Sequence, residues 1–123
     1  MPHLTVEYSR NLAGMPEREL LRALNEAVTA HPEIADESDL KSRLVVHDTF
    51  QVGTAPRARA FVHARLALLS GRTPEAKREL SHLVAGVLRQ QLPRPAGLQV
   101  ALSVEIVDMD RPSYVKEMLP AAD

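Results

Sequence analysis

The chain opens on an alternation: Leu4, Val6 and Tyr8 are apolar, and Thr5, Glu7 and Ser9 between and after them are polar. A period of two predicts a β-strand with one covered face. Residues 11–16 break the pattern, and from Pro16 the apolar residues Leu20, Leu21, Leu24 and Val28 fall at helical spacing, with Pro16 and Glu17 suited to a first turn. His31-Pro32 ends this helix, because the residue before a proline is pushed out of the α region. After an acidic stretch at 33–39, the run SRLVVHDTF at 42–50 returns to a strand.

The second half repeats the order. RARAFVHARLALL at 57–69 reads as a strand that ends at Ser70-Gly71-Arg72. Thr73 is a good N-cap, Pro74 a good first helical residue, and Glu75 complements the helix dipole. Ala76, Leu80, Leu83, Val84, Val87 and Leu88 then form an apolar stripe on a helix running to about Gln91. LPRPAG breaks it, and residues 98–108 close the unit with Val100, Leu102, Val104 and Ile106 on one face. The expectation is one α+β domain over residues 1–123, with a β-α-β unit at 2–50, a second at 58–107 and a tail at 108–123. Right-handed crossovers would set both helices on one face of a four-stranded mixed sheet. The opposite face then needs a cover, and a chain this short has only its tail to offer, so oligomerisation is expected. Tyr114, Val115, Met118 and Leu119 are the tail residues suited to pack on a neighbouring subunit.

Composition narrows the function classes. With 45% hydrophobic residues but only two Phe, two Tyr and no Trp, the core must be aliphatic, and stacking platforms for bases are nearly absent. A net charge of −1 gives no case for a nucleic-acid partner. The absence of Cys removes disulfides, thiolate metal sites and a Cys nucleophile, and fits a cytoplasmic location. No apolar run reaches the roughly 18–20 residues of a membrane span, and the start lacks a signal-peptide layout. The five histidines show no HxxxH pair, so no metal site is expected. His3, His47 and His63 all fall on strands, as do the carboxylates Glu7, Asp48 and Glu105, which read as an acid/base set or as partners of arginines. No GxSxG elbow surrounds a serine, and the glycines are too scattered for a phosphate loop.

Two features carry candidate chemistry. Pro2 is tolerated at a strand start. If Met1 is removed it also becomes a secondary amine, a base of ordinary pKa near ~8 that burial or nearby cations lower toward neutrality. Arg72 follows Gly71 just before a helix N-terminus, where its fork can hold a carboxylate, and Lys41 and Arg43 at the second strand's start can reach the same ligand. Read alone, each of these three cations is first of all a residue of a solvated loop.

Taken together, PHLTVEYS, SRLVVHDTFQVG, AFVHARLALLSGRTPEAKREL and LSVEI span nearly the whole chain. In these motifs the sequence resembles the 5-carboxymethyl-2-hydroxymuconate isomerases of the tautomerase superfamily, which also holds 4-oxalocrotonate tautomerase and macrophage migration inhibitory factor. The resemblance implies a homotrimer and a cofactor-free keto-enol isomerase of homoprotocatechuate and 4-hydroxyphenylacetate catabolism, acting on a small dicarboxylate or tricarboxylate. It implies Pro2 as the catalytic base and then acid, and Arg72 as the carboxylate-binding, dienolate-stabilising cation. Lys41 stands where the family carries its other active-site arginine, keeping the charge without the fork, so Arg43 is a candidate to share that task. Phe50 matches an aromatic position that would keep the pocket apolar. A tautomerase of another acidic 2-hydroxymuconate and a non-enzymatic trimeric scaffold are the competing expectations.

Overall fold

A computed structural model describes residues 1–122, so Asp123, the last residue of the tail, lies outside it. Strands β1 (His3–Ser9), β2 (Lys41–His47), β3 (Arg59–Leu69) and β4 (Gln99–Met109) alternate with helices α1 (Glu17–Thr29) and α2 (Pro74–Gln91) as two β-α-β units. The sheet order is β2-β1-β3-β4. Each unit pairs its own strands in parallel, β1 with β2 and β3 with β4, and the two units meet through an antiparallel β1–β3 pair. The start of one central strand therefore lies beside the end of the other, with His3 opposite Ala67 and Tyr8 opposite Val62.

The core forms between the sheet and the helices. Leu4 and Val6 of β1 and Val62, Ala64, Leu66 and Leu68 of β3 pack with Leu20, Leu24, Val28, Leu80, Val84 and Leu88 in one fully buried cluster. Full burial of each large aliphatic side chain contributes about 1.5–3 kcal/mol. A spacing of four selects Ala76, Leu80, Val84 and Leu88 as the buried line of α2, so Leu83, expected in the stripe, is displaced to its border and is 37% exposed. Helix α2 starts as its residues predict, with the Thr73 hydroxyl accepting from the Ala76 N–H at 3.1 Å and Pro74 in the first turn. Residues 48–50, expected in the second strand, leave β2 after His47 because β1, its only neighbour, ends at Ser9.

The sheet face away from the helices is polar. Glu7 pairs with His47 at 2.8 Å, and His63 bridges Ser103 at 2.7 Å and Glu105 at 2.6 Å. Two of the three strand carboxylates thus meet histidines rather than arginines, and only Asp48, just past β2, pairs with one, Arg10. Among the described residues no group of three His, Asp or Glu side chains is placed to hold a metal ion, and no helix is long and apolar enough to cross a membrane.

Candidate active site

Pro2 is buried where the first rung of β1 forms: its carbonyl accepts the Lys41 N–H at 3.1 Å. Antiparallel pairing brings the end of β3 to the same place, so a residue seventy positions away in sequence becomes a neighbour. Gly71, at φ +117, turns the chain there, a backbone region that favours glycine. Arg72 follows, and its side chain is drawn inward to 16% exposure. Its Nη1 donates to the Leu69 carbonyl at 2.8 Å and its Nη2 to the Glu33 carbonyl at 3.4 Å. Its Nε sits 3.3 Å from the Glu33 carboxylate, though out of line for a hydrogen bond, so this donor is buried and unused. Such a guanidinium is fixed in position with donor capacity left over.

Lys41 reaches the same corner, its Nζ donating to the Asp39 carbonyl at 2.8 Å. The turn that presents Asp39 is braced by Asp36, which accepts from the Ser38 N–H at 3.0 Å and hydroxyl at 2.9 Å; these bonds hold the Asp36 carboxyl below its ordinary range. A third cation joins from the tail, Lys116, whose Nζ pairs with the Asp39 carboxylate at 3.0 Å. The chain-start amine feels all of them. Its pKa is lowered from the ordinary 8.0, first by burial, then by Arg72, with Lys41 and Lys116 adding to the effect and Asp39 opposing it. In the chain as it stands that amine belongs to Met1, and the nitrogen of Pro2, one residue in, is held in an amide with no basic lone pair. The same field would act on Pro2 once Met1 is gone.

The other two expected site residues lie elsewhere. Arg43 is on the open face of β2, where it contacts Thr5 Oγ1 at 3.3 Å and His3 Nδ1 at 2.9 Å. It is two residues past Lys41, about 7 Å along the strand. Burial and Arg43, and then Lys41 and the chain-start amine, lower the His3 pKa, which keeps that ring neutral beside the cations. Phe50 is at the opposite end of the sheet, beyond the end of β2, packed edge-on to Phe61 with ring centroids 6.1 Å apart. The length of β1 separates it from Pro2, about 20 Å at roughly 3.3 Å per residue. It lines a cavity of about 390 Å³ there, with Asn11, Arg57 and Arg59 among its neighbours. One protomer therefore joins Pro2, Lys41 and Arg72, sets Arg43 beside them, and leaves Phe50 out. Lys116 is the residue that sequence reasoning missed, since nothing local in the tail marks a lysine that pairs with an aspartate 77 positions earlier.

A buried chain start under three cations, on this fold, agrees with one family model, 5-carboxymethyl-2-hydroxymuconate isomerase, which matches residues 2–119. The chain belongs to the 5-carboxymethyl-2-hydroxymuconate isomerase family. A crystal structure of a 5-carboxymethyl-2-hydroxymuconate isomerase from Deinococcus radiodurans R1 is similar at 31% identity and a TM-score of 0.85, over 94% of this chain and 88% of that one. A 5-carboxymethyl-2-hydroxymuconate delta-isomerase structure is similar in fold at 20% identity and a TM-score of 0.71, over 96% of this chain and 88% of that one. The macrophage migration inhibitory factor of Trichinella spiralis shares the fold at 13% identity and a TM-score of 0.69, over 93% of this chain and 95% of that one. Among curated protein sequences none matches significantly. As a member of this isomerase family the chain is an enzyme of the tautomerase type, and the corner around Pro2 is its candidate active site.

Proposed function

We propose that this isomerase ketonises 5-carboxymethyl-2-hydroxymuconate, in the cytoplasm and in the catabolism of homoprotocatechuate, with Pro2 as the group that moves the proton. Removal of Met1 frees the secondary amine. The surroundings that lower the Met1 amine's pKa act on it too, so more of it is neutral at neutral pH than of an ordinary amine, and able to take a proton. It accepts the proton of the substrate's 2-hydroxyl and returns it to a distant carbon, so the dienol becomes a conjugated 2-oxo acid. Arg72 binds a carboxylate and stabilises the negative charge that spreads over the dienolate, an effect strongest where water is excluded. Lys41 adds a second cation to the same corner, and Arg43, beside it, binds at the open-face edge. The reaction moves a proton and no electrons, so it calls for no cofactor.

The observation that carries this reading is the antiparallel β1–β3 pair, which sets Arg72 near enough to the chain-start amine to lower its pKa. The protein acts as a homotrimer in this reading. Fused 4-oxalocrotonate tautomerase structures described as symmetric trimers support it, sharing the fold at 23% identity or less. Phe50, too far from Pro2 in its own protomer, then completes the pocket of a second copy. The test is the loss of dienol absorbance by Pro2→Ala, with the circular dichroism spectrum and oligomer size as controls. A fall of about a hundredfold or more in turnover is expected; undiminished turnover by the variant overturns the assignment. Comparing turnover across acidic 2-hydroxymuconates tests the substrate, since Lys41 lacks the fork of an arginine.

A further inference from the structure

The C-terminal tail behaves unlike an ordinary apolar strap. After the short turn at Arg111–Ser113, Val115, Met118 and Leu119 are 79%, 78% and 82% exposed. Lys116, in the midst of them, is instead drawn in to 24% exposure, against an Asp39 side chain that is itself 20% exposed. Ordering a lysine side chain sacrifices rotamer entropy. The tail nevertheless docks by its cation and leaves Val115, Met118 and Leu119 out. The place where it docks is the turn that also holds Lys41, whose N–H bonds the Pro2 carbonyl at 3.1 Å.

Charge bookkeeping at this corner is simple. Arg72, Lys41 and Lys116 supply three positive charges; Glu33 and Asp39, paired with Arg72 and Lys116, and Asp36, whose carboxyl also feels Lys116, supply three negative ones. Without Lys116 the group would carry one net negative charge and repel an anion; with it the group is balanced. An ammonium has three donors, and Asp39 takes one of them. His3 and Arg43, on the adjoining open face, engage each other at 2.9 Å, which ties up part of Arg43's capacity.

We propose that Lys116 is a specificity-determining contact of this isomerase, binding the third carboxylate of a tricarboxylated substrate, with Asp39 as the residue that positions it. The proposal rests on the substrate class assigned above. A muconate has two carboxylates, and its carboxymethyl arm adds a third. Two of them are met by Arg72 and Lys41, and Lys116 takes the last. The tail thus discriminates 5-carboxymethyl-2-hydroxymuconate from plain 2-hydroxymuconate by one ionic contact at a partly desolvated site. The lysine also lowers the chain-start amine's pKa, together with the other two cations.

The test compares the unaltered protein with Lys116→Met and Lys116→Arg on both muconates, and measures binding of tricarballylate and glutarate by calorimetry. Lys116→Met is expected to raise KM for the three-carboxylate substrate about tenfold more than for the two-carboxylate one. It should weaken tricarballylate relative to glutarate by a similar factor, and Lys116→Arg should restore most of both. Lys116→Gln serves as a second neutral variant if the first does not fold. Equal effects on both ligands, or none, overturn the proposal. The calorimetric arm reads out without turnover, whereas a failure of the Pro2 reading shows separately, as activity retained by Pro2→Ala.

Discussion

The two ends of the central β1–β3 pair have the same backbone plan and different chemistry. At one end the Pro2 carbonyl accepts the Lys41 N–H at 3.1 Å; at the other the Ala58 carbonyl accepts the Gln99 N–H at 3.2 Å. Past each central strand the chain turns in the same way, with Arg10 donating to His47 at 3.0 Å and Ser70 donating to Met109 at 2.9 Å. Yet only the first end has a chain terminus. Ala58 is an internal amide, and the residue two past Arg10 is Leu12, 1% exposed and part of the core, where the residue two past Ser70 is Arg72. Duplicated architecture supplies the scaffold twice, and only the end at the chain start brings a fixed guanidinium close to an amine. The lesson is that the antiparallel junction, which joins one unit's start to the other unit's exit, makes the candidate site.

The largest effect should come from making the two ends alike. Retaining Met1 ahead of Pro2 turns the active end into another internal amide, and turnover should fall by about a hundredfold or more while the fold is unchanged. An intact-mass measurement on each preparation, set against its specific activity, checks this; activity in a fully Met1-retaining sample contradicts it. Next, Arg72→Gln removes the cation that has no counterpart at the Ala58 end. We expect kcat/KM to drop by about ten- to a hundredfold. Because Arg72 lowers the amine's pKa, its loss raises that pKa, and the acidic limb of the pH–rate profile should move to higher pH.

Asp39→Asn sharpens the comparison with the opposite sign. Asp39 is the group that raises the amine's pKa, so its removal should shift the acidic limb to lower pH, by less than Arg72→Gln shifts it upward. A pH profile of kcat/KM for both variants decides the order and the directions. The smallest effect is expected from Gly71→Ala. Nothing crowds the added methyl, whose nearest contact is the Arg111 guanidinium at 3.9 Å, but φ is +117, so the strain costs roughly 1 kcal/mol. Thermal melting should show a drop of a few degrees.

Much of this was readable along the chain, and what was not has a common cause. The alternation at Leu4, Val6 and Tyr8 and the Thr73-Pro74 cap depend on neighbours in sequence, and the strand and the α2 start form as those residues predict. Arg72 was readable as a cation after a glycine turn. Its proximity to Pro2 was not, because periodicity assigns faces and says nothing of which strand ends meet. The same gap separates Phe50 from Pro2, and hides the Lys116–Asp39 pair, whose partners are 77 positions apart. Leu83 fell outside the core because a helix of period 3.6 buries a line narrower than the stripe of its apolar residues.

The central claim is that Pro2, freed of Met1, is a base tuned by its corner of the fold. It is tested most directly by titrating the Pro2 nitrogen itself, through its nitrogen-15 chemical shift in protein of verified mass, and by measuring kcat/KM over the same pH range. The account predicts a titration below the ordinary amine value of about 8 that coincides with the acidic limb of the rate profile. A Pro2 nitrogen that titrates at or above that value, or a rate profile indifferent to its protonation, would contradict it.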